Sequence, residues 1–204
     1  MPNYTGGRWS TTGPITTITW SFANSNFSGL QLLYSGYQNF DSQISASYYS
    51  IVRAAFAAWE SVAYVDFVEV QDSTAANIRL GNAAVDGPNG SILANTYYWL
   101  SGTQYKATEI LLDVDAYNFN AKYLYSILVH EIGHAIGLDH SSSPDAIMYY
   151  QVGPRNGDGV LTADDLKGIA ALYGGKVVIQ PPTTPTTPLP VSYTHLTLPT
   201  KRIV

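Results

Sequence analysis

His130-Glu131-Ile132-Gly133-His134-Ala135-Ile136-Gly137-Leu138-Asp139-His140 constrains this chain more than any other stretch. A helix places residues four apart on one face, so His130 and His134 can offer ring nitrogens to one metal ion at about 2.0–2.1 Å. Gly137 allows the left-handed backbone that ends a helix, and the chain can then turn to bring His140 back as a third ligand. Three protein ligands leave one coordination position open, which separates a catalytic zinc from a structural one. Glu131 stands beside the first ligand as the natural proton acceptor. These features read as a metallopeptidase motif. A chance match of three His, one Glu and one Gly at these spacings is on the order of one in a hundred thousand for such a chain. The bland alternative is a helix with core or surface histidines.

The extended motif resembles that of the metzincin endopeptidases, H-E-x-x-H-x-x-G-x-x-H followed by a methionine turn. Met148, within Asp145-Ala146-Ile147-Met148-Tyr149-Tyr150, fits that turn. In the family such a Met forms an apolar floor beneath the zinc; position alone would equally allow a core Met. His140-Ser141 and the stretch from Leu161 to Gly174 resemble the matrixin branch. Tyr150 departs from it, because matrixins usually carry proline there, whereas serralysin-like and astacin-like enzymes carry a tyrosine that ligates zinc or stabilises the transition state. Tyr150 could equally line the cleft. The resemblance covers residues 8–174, most strongly from 124 onward.

The resemblance implies an α+β fold: a twisted, mostly parallel five-stranded sheet with an antiparallel edge strand, packed on two helices, plus a C-terminal helix. It also implies a bacterial zinc endopeptidase that holds catalytic zinc through His130, His134 and His140, with Glu131 as general base. Gly137 and Met148 support the site. The substrate would be an extended polypeptide paired with an edge strand within residues 91–99, and residues 149–154 would form part of a side-chain pocket. A second, structural zinc is not expected, because only His195 remains after the three motif histidines.

Composition sets the remaining bounds. The 204 residues suit one catalytic domain with short extensions. Charged residues make up 12% of the chain and the formal net charge is −5, with no Lys/Arg run, so neither nucleic acid nor an anionic membrane is expected as partner. No apolar stretch approaches the roughly 20 residues of a membrane span. Richness in Tyr, Ser, Thr, Asn and Gly, with a Thr-Pro stretch, suits a secreted, extracellular protein, and a monomer is expected. The absence of cysteine excludes disulfides and a thiol latch on the zinc. Met1-Pro2-Asn3-Tyr4 carries no secretory signal and reads as an added start or the beginning of an incomplete fragment.

Along the chain, residues 15–22 alternate as a half-buried strand, and an amphipathic helix is expected over about residues 42–62 from the spacing of Ile44, Tyr48, Ile51, Val52, Ala55, Phe56 and Trp59. Strands follow at 65–70, 76–80, 91–99 and 109–114. Leu124, Ile127, Leu128, Ile132 and Ala135 mark the buried stripe of the zinc helix. Thr162 and Asp165 form a capping pair for a last helix that Gly174-Gly175 can end. In matrixins an Asp of the Asp164-Asp165 pair also anchors a matured N-terminus, so two roles stand open for that pair.

The catalytic domain is expected at residues 1–176, followed by a stiff Pro/Thr linker at 177–191 that once led to a further C-terminal module. Residues 192–204 resemble translated adapter sequence, or else a disordered tail. Calcium is an alternative to plain turn chemistry at Asp86-Gly87-Pro88-Asn89-Gly90, Asp113 and Asp115. Asn156-Gly157-Asp158-Gly159 has an EF-hand-like centre, but Pro154 at the first ligand position excludes a complete EF-hand. Two other functions compete with the endopeptidase: a non-catalytic polypeptide-binding module on the same scaffold, and a zinc-dependent hydrolase of small amides. The intact Glu131 argues against the first and an open cleft against the second.

Overall fold

A computed structural model describes residues 1–24, 39–88, 90–114, 121–151 and 156–176. The linker and tail at 177–204, Asn89, Asp115 and residues 152–155 lie outside the described residues. Among the described residues, seven strands and three α-helices follow in the order β1 (Asn3–Tyr4), β2 (Thr16–Phe22), α1 (Tyr49–Val62), β3 (Val65–Glu69), β4 (Ile78–Ala83), β5 (Ala94–Ser101), β6 (Gln104–Asp113), α2 (Ala121–Ala135), β7 (Leu138–Asp139) and α3 (Ala163–Tyr173).

The main sheet has the order β3-β2-β4-β6-β5. Its first four strands run parallel, and β5 pairs antiparallel to β6 as an edge strand. That is the expected mixed sheet. Central β4 is buried on both faces: Ile78 and Leu80 enter the main core, while Ala83 joins a smaller cluster with Ala23, Phe40 and Leu111. Helix α1 buries Val52, Ala55, Phe56 and Trp59, spaced three and four apart, and Phe56 stacks on Trp20 of β2 at 4.3 Å between ring centres. Helices α1 and α2 share one apolar core with the sheet.

The helix expected from residue 42 starts later. Ser42 bridges to Asn82, Ser45 is extended, and only a 3-10 turn at Ala46–Tyr48 leads into α1. Ile44 is buried as the periodicity implied, but from non-helical backbone, since side chain–sheet contact competes with local helix formation here. Strand bounds also move by a few residues, most at β6, which begins at Gln104 because the Ser101-Gly102 turn closes a tight hairpin with β5. Gly102 has φ +61° in that turn. The short β1–β7 pair was not expected; it ties the start of the chain to the segment that carries His140. No helix among the described residues is long and apolar enough to cross a membrane.

Candidate metal centre

Helix α2 is buried on nearly every side from Leu124 to Gly133, beyond the single stripe its sequence suggested. Tight packing fixes its rotation, and one turn of it carries His130, Glu131 and His134 to the floor of a cleft of about 580 Å³. Ser91 to Asn95, Ile127, His140, Tyr149, Tyr150 and Gln151 complete the lining. The ligand-capable nitrogens of His130, His134 and His140 all lie within 4.8 Å of one another, and among the described residues this is the only such cluster.

Each histidine of the helix has its other nitrogen committed. His130 Nδ1 donates to the Ile147 carbonyl at 2.7 Å, and His134 Nδ1 to the Leu138 carbonyl at 2.8 Å. A carbonyl only accepts, so both protons sit on Nδ1 and both Nε2 atoms present lone pairs. Those atoms are 3.0 Å apart. Two acceptors at that distance repel unless a cation lies between them, and tetrahedral zinc would place its nitrogens about 3.3 Å apart. The donor set therefore fits zinc. Burial, then the neighbouring His134, pushes His130 down to about 3, so the ring stays neutral and able to ligate. His140 is also lowered, chiefly by burial and then by His134, with Asp139 opposing.

Gly137 ends the helix with φ +113°, and a side chain there would strike the Gly7 carbonyl, so two constraints select glycine. The last carbonyls of a helix have no partner within it. Here distant residues supply partners: Trp9 Nε1 donates to Ala135 at 2.9 Å, Tyr105 Oη to His134 at 3.2 Å and Tyr173 Oη to Ile136 at 2.8 Å. Burial raises both phenols, which remain donors. Thr5 N reaches Gly137 O, and Asn3 Nδ2 reaches the carbonyl of His140 itself at 2.7 Å.

Met148 is buried beneath α2, where a Cβ on Gly133 would meet its Sδ at 2.3 Å. Gly133 thus admits the sulfur, a role its sequence position signalled only as a helix-interior glycine. Asp165 caps α3 by accepting from Thr162 N at 2.8 Å, and it also accepts from Ile147 N at 3.0 Å and Met148 N at 3.1 Å, pinning the methionine turn. Asp164 accepts from Ser141 Oγ at 2.6 Å and lies 3.5 Å from the amino group of Met1. Asn156, buried, donates to the carbonyls of Ala146 and Gln151 and braces the cleft wall. Asp86 accepts from the amides of Ser91 and Ile92, and Asp113 from that of Val85.

Tyr150 stands 61% exposed at the cleft, its ring 6.5 Å from that of His140. Glu131 is buried, its Oε2 accepting from Thr96 Oγ1 at 2.6 Å. Burial raises the Glu131 carboxyl, while His134 and Thr96 act to lower it. Sequence reading missed Thr96, Trp9, Tyr105 and Tyr173, since no local pattern links them to the motif.

The matrixin model of the M10 peptidases matches residues 26–174. The chain belongs to the matrixin family. This matrixin is 37% identical to metalloendoproteinase 4-MMP of Arabidopsis thaliana over 134 residues, 61% of the chain and 39% of that protein. It is 33% identical to human neutrophil collagenase over 166 residues, 75% of the chain and 34% of that protein. Macrophage metalloelastase of Oryctolagus cuniculus is 30% identical over 155 residues, 71% of the chain and 32% of the relative. This matrixin thus spans less than half the length of these relatives.

Proposed function

We propose that this matrixin is a secreted zinc endopeptidase that hydrolyses extended polypeptides. The observation that carries the reading is the convergence of three histidine nitrogens with a buried glutamate on the floor of a cleft beside the edge strand β5. His130, His134 and His140 would hold the metal. Bound zinc supplies Lewis acidity, polarising a peptide carbonyl and acidifying water. Glu131 serves as general base toward that water and then returns the proton to the departing amine. The outer edge of β5 takes the substrate backbone as an added strand, while Tyr149 and Gln151 contribute to the side-chain pocket. Tyr150 donates a hydrogen bond to the developing oxyanion.

Gly137 and Met148 act as supports for this centre. Residues 1–176 form the peptidase domain, 177–191 a Pro/Thr-rich linker sequence to a further module, and 192–204 a non-native tail. Secretion rests on composition and the Thr-Pro stretch, and a bacterial source on the matrixin His-Ser pair combined with Tyr150. A monomer is the working state. Calcium enters as a structural ion with Asp86 and Asp113 among its donors; a calcium-dependent rise in Tm would support it.

The test is cleavage of an unfolded protein by the purified chain: as isolated, after chelation, after zinc restoration, and as Glu131→Ala. Loss on chelation, recovery with zinc and silence of the variant are expected. A folded, zinc-loaded chain inert toward a broad peptide library would overturn the reading in favour of a binding module or a small-amide hydrolase.

A further inference from the structure

We infer that Thr96 is a positioning residue for the catalytic carboxylate: its hydroxyl holds Glu131 Oε2 and leaves Oε1 to exchange the proton. The inference rests on the peptidase reading above. Thr96 lies on β5, paired in register with Ile110 of β6, and is buried. Its Oγ1 is 2.6 Å from Glu131 Oε2 and 3.1 Å from the Glu131 carbonyl. One hydroxyl carries one proton, and the shorter distance falls in the range of a charge-assisted bond to a carboxylate. The carboxylate is thus the principal acceptor.

A glutamate side chain has three rotatable bonds, and a general base works only when its oxygen is held near the proton it takes. Packing around α2 fixes the backbone of Glu131, but among the hydrogen bonds described for its carboxylate the tether comes from Thr96 alone. The location adds a second consequence. Ala94 and Asn95, immediately before Thr96, line the cleft at the edge where substrate would pair. One strand therefore both receives the substrate and orients the base, so a substrate seated on β5 meets a carboxylate already in register with it.

Thr96→Val keeps the shape and removes the hydroxyl; Thr96→Ser keeps the hydroxyl and removes a methyl. In the zinc-loaded chain, Thr96→Val should lower kcat roughly 10- to 100-fold with KM within about twofold of wild type, because a base misplaced by about an ångström loses rate rather than binding. Thr96→Ser should stay within about threefold of wild type. Apart from activity, Thr96→Val should lower Tm more in the wild-type background than in Glu131→Ala, since the carboxylate bond exists only in the former. Full turnover by Thr96→Val, a Thr96→Ser as slow as Thr96→Val, or equal Tm losses in both backgrounds would overturn the inference alone. An inert wild type would overturn the peptidase reading, and this assignment with it.

Discussion

His130 and His134 face each other across 3.0 Å with two lone pairs and no proton between them, because each has given its Nδ1–H to a backbone carbonyl. The metal-free centre is thus electrostatically unfavourable, and folding stability is linked to metal. Zinc at a hundredfold excess over its Kd should stabilise the chelated protein by about 2.7 kcal/mol, a rise of roughly 5–10 °C in Tm. A Tm indifferent to zinc in differential scanning calorimetry would contradict the assigned ligand set.

The same geometry sets a pH dependence for the chelated protein. His130 falls from 6.5 to about 3 on folding. Below 6.5 the unfolded chain takes up a proton that the folded chain refuses, so stability should fall as pH drops from about 6.5 toward 3. Glu131 acts oppositely: its carboxyl is raised, so its contribution is complete below 4.5 and disappears as pH rises through the folded value. Urea titrations of a chelated Glu131→Gln variant remove that opposing contribution and leave the two lowered histidines, His130 and His140. A stability flat across this window would show that neither histidine is held neutral by the fold.

Gly133 leaves room for the sulfur of Met148. Gly133→Ala gains helix propensity but drives a methyl into that sulfur, with an expected net loss of about 1–3 kcal/mol and weaker zinc retention. Chemical denaturation beside zinc competition with a chromogenic chelator measures both. A stabilised variant would mean that the methionine turn yields freely.

Asp165 joins a helix cap to the methionine turn through four donors: the amides of Ile147, Met148 and Thr162, and the Thr162 hydroxyl. Asp165→Ala strands the buried amides, and we expect a loss of about 2–4 kcal/mol by urea midpoint. Thr162→Ala, which spares the turn, should cost about 1 kcal/mol. Equal losses would reduce Asp165 to a cap.

Tyr150→Phe separates its two open roles. Loss of an oxyanion hydrogen bond lowers kcat roughly 10- to 100-fold at constant KM. An unchanged kcat with altered KM assigns the residue to the cleft wall instead.

The histidine cluster was legible because a helix converts spacing directly into geometry: His130 and His134 need only one turn, and His140 only a glycine after it. The sheet was legible in kind, since short apolar runs fall between turn residues, although alternation holds only at the start of β2 and β4 is buried throughout. Residues acting across long sequence separations were not. Thr96 is an ordinary strand threonine until the fold sets β5 against α2, and Asp165 shows its capping bond in sequence but not its hold on Ile147 and Met148. The early start expected for α1 failed for a related reason: Ile44 keeps the apolar rhythm of a helix while its neighbour Ser42 bonds across to Asn82.

Tyr105, Trp9, Tyr173 and Thr5 bind the successive carbonyls of His134, Ala135, Ile136 and Gly137, and Asn3 binds that of His140. The third histidine therefore hangs from the segment around β1, from α3 and from the sheet at once. Metal retention becomes a gauge of whole-domain integrity: damage at Trp9 or Tyr173, remote from any substrate, should register first as faster loss of zinc to a chelator. Chelator sensitivity could then rank lesions throughout the protein before any of them unfolds it.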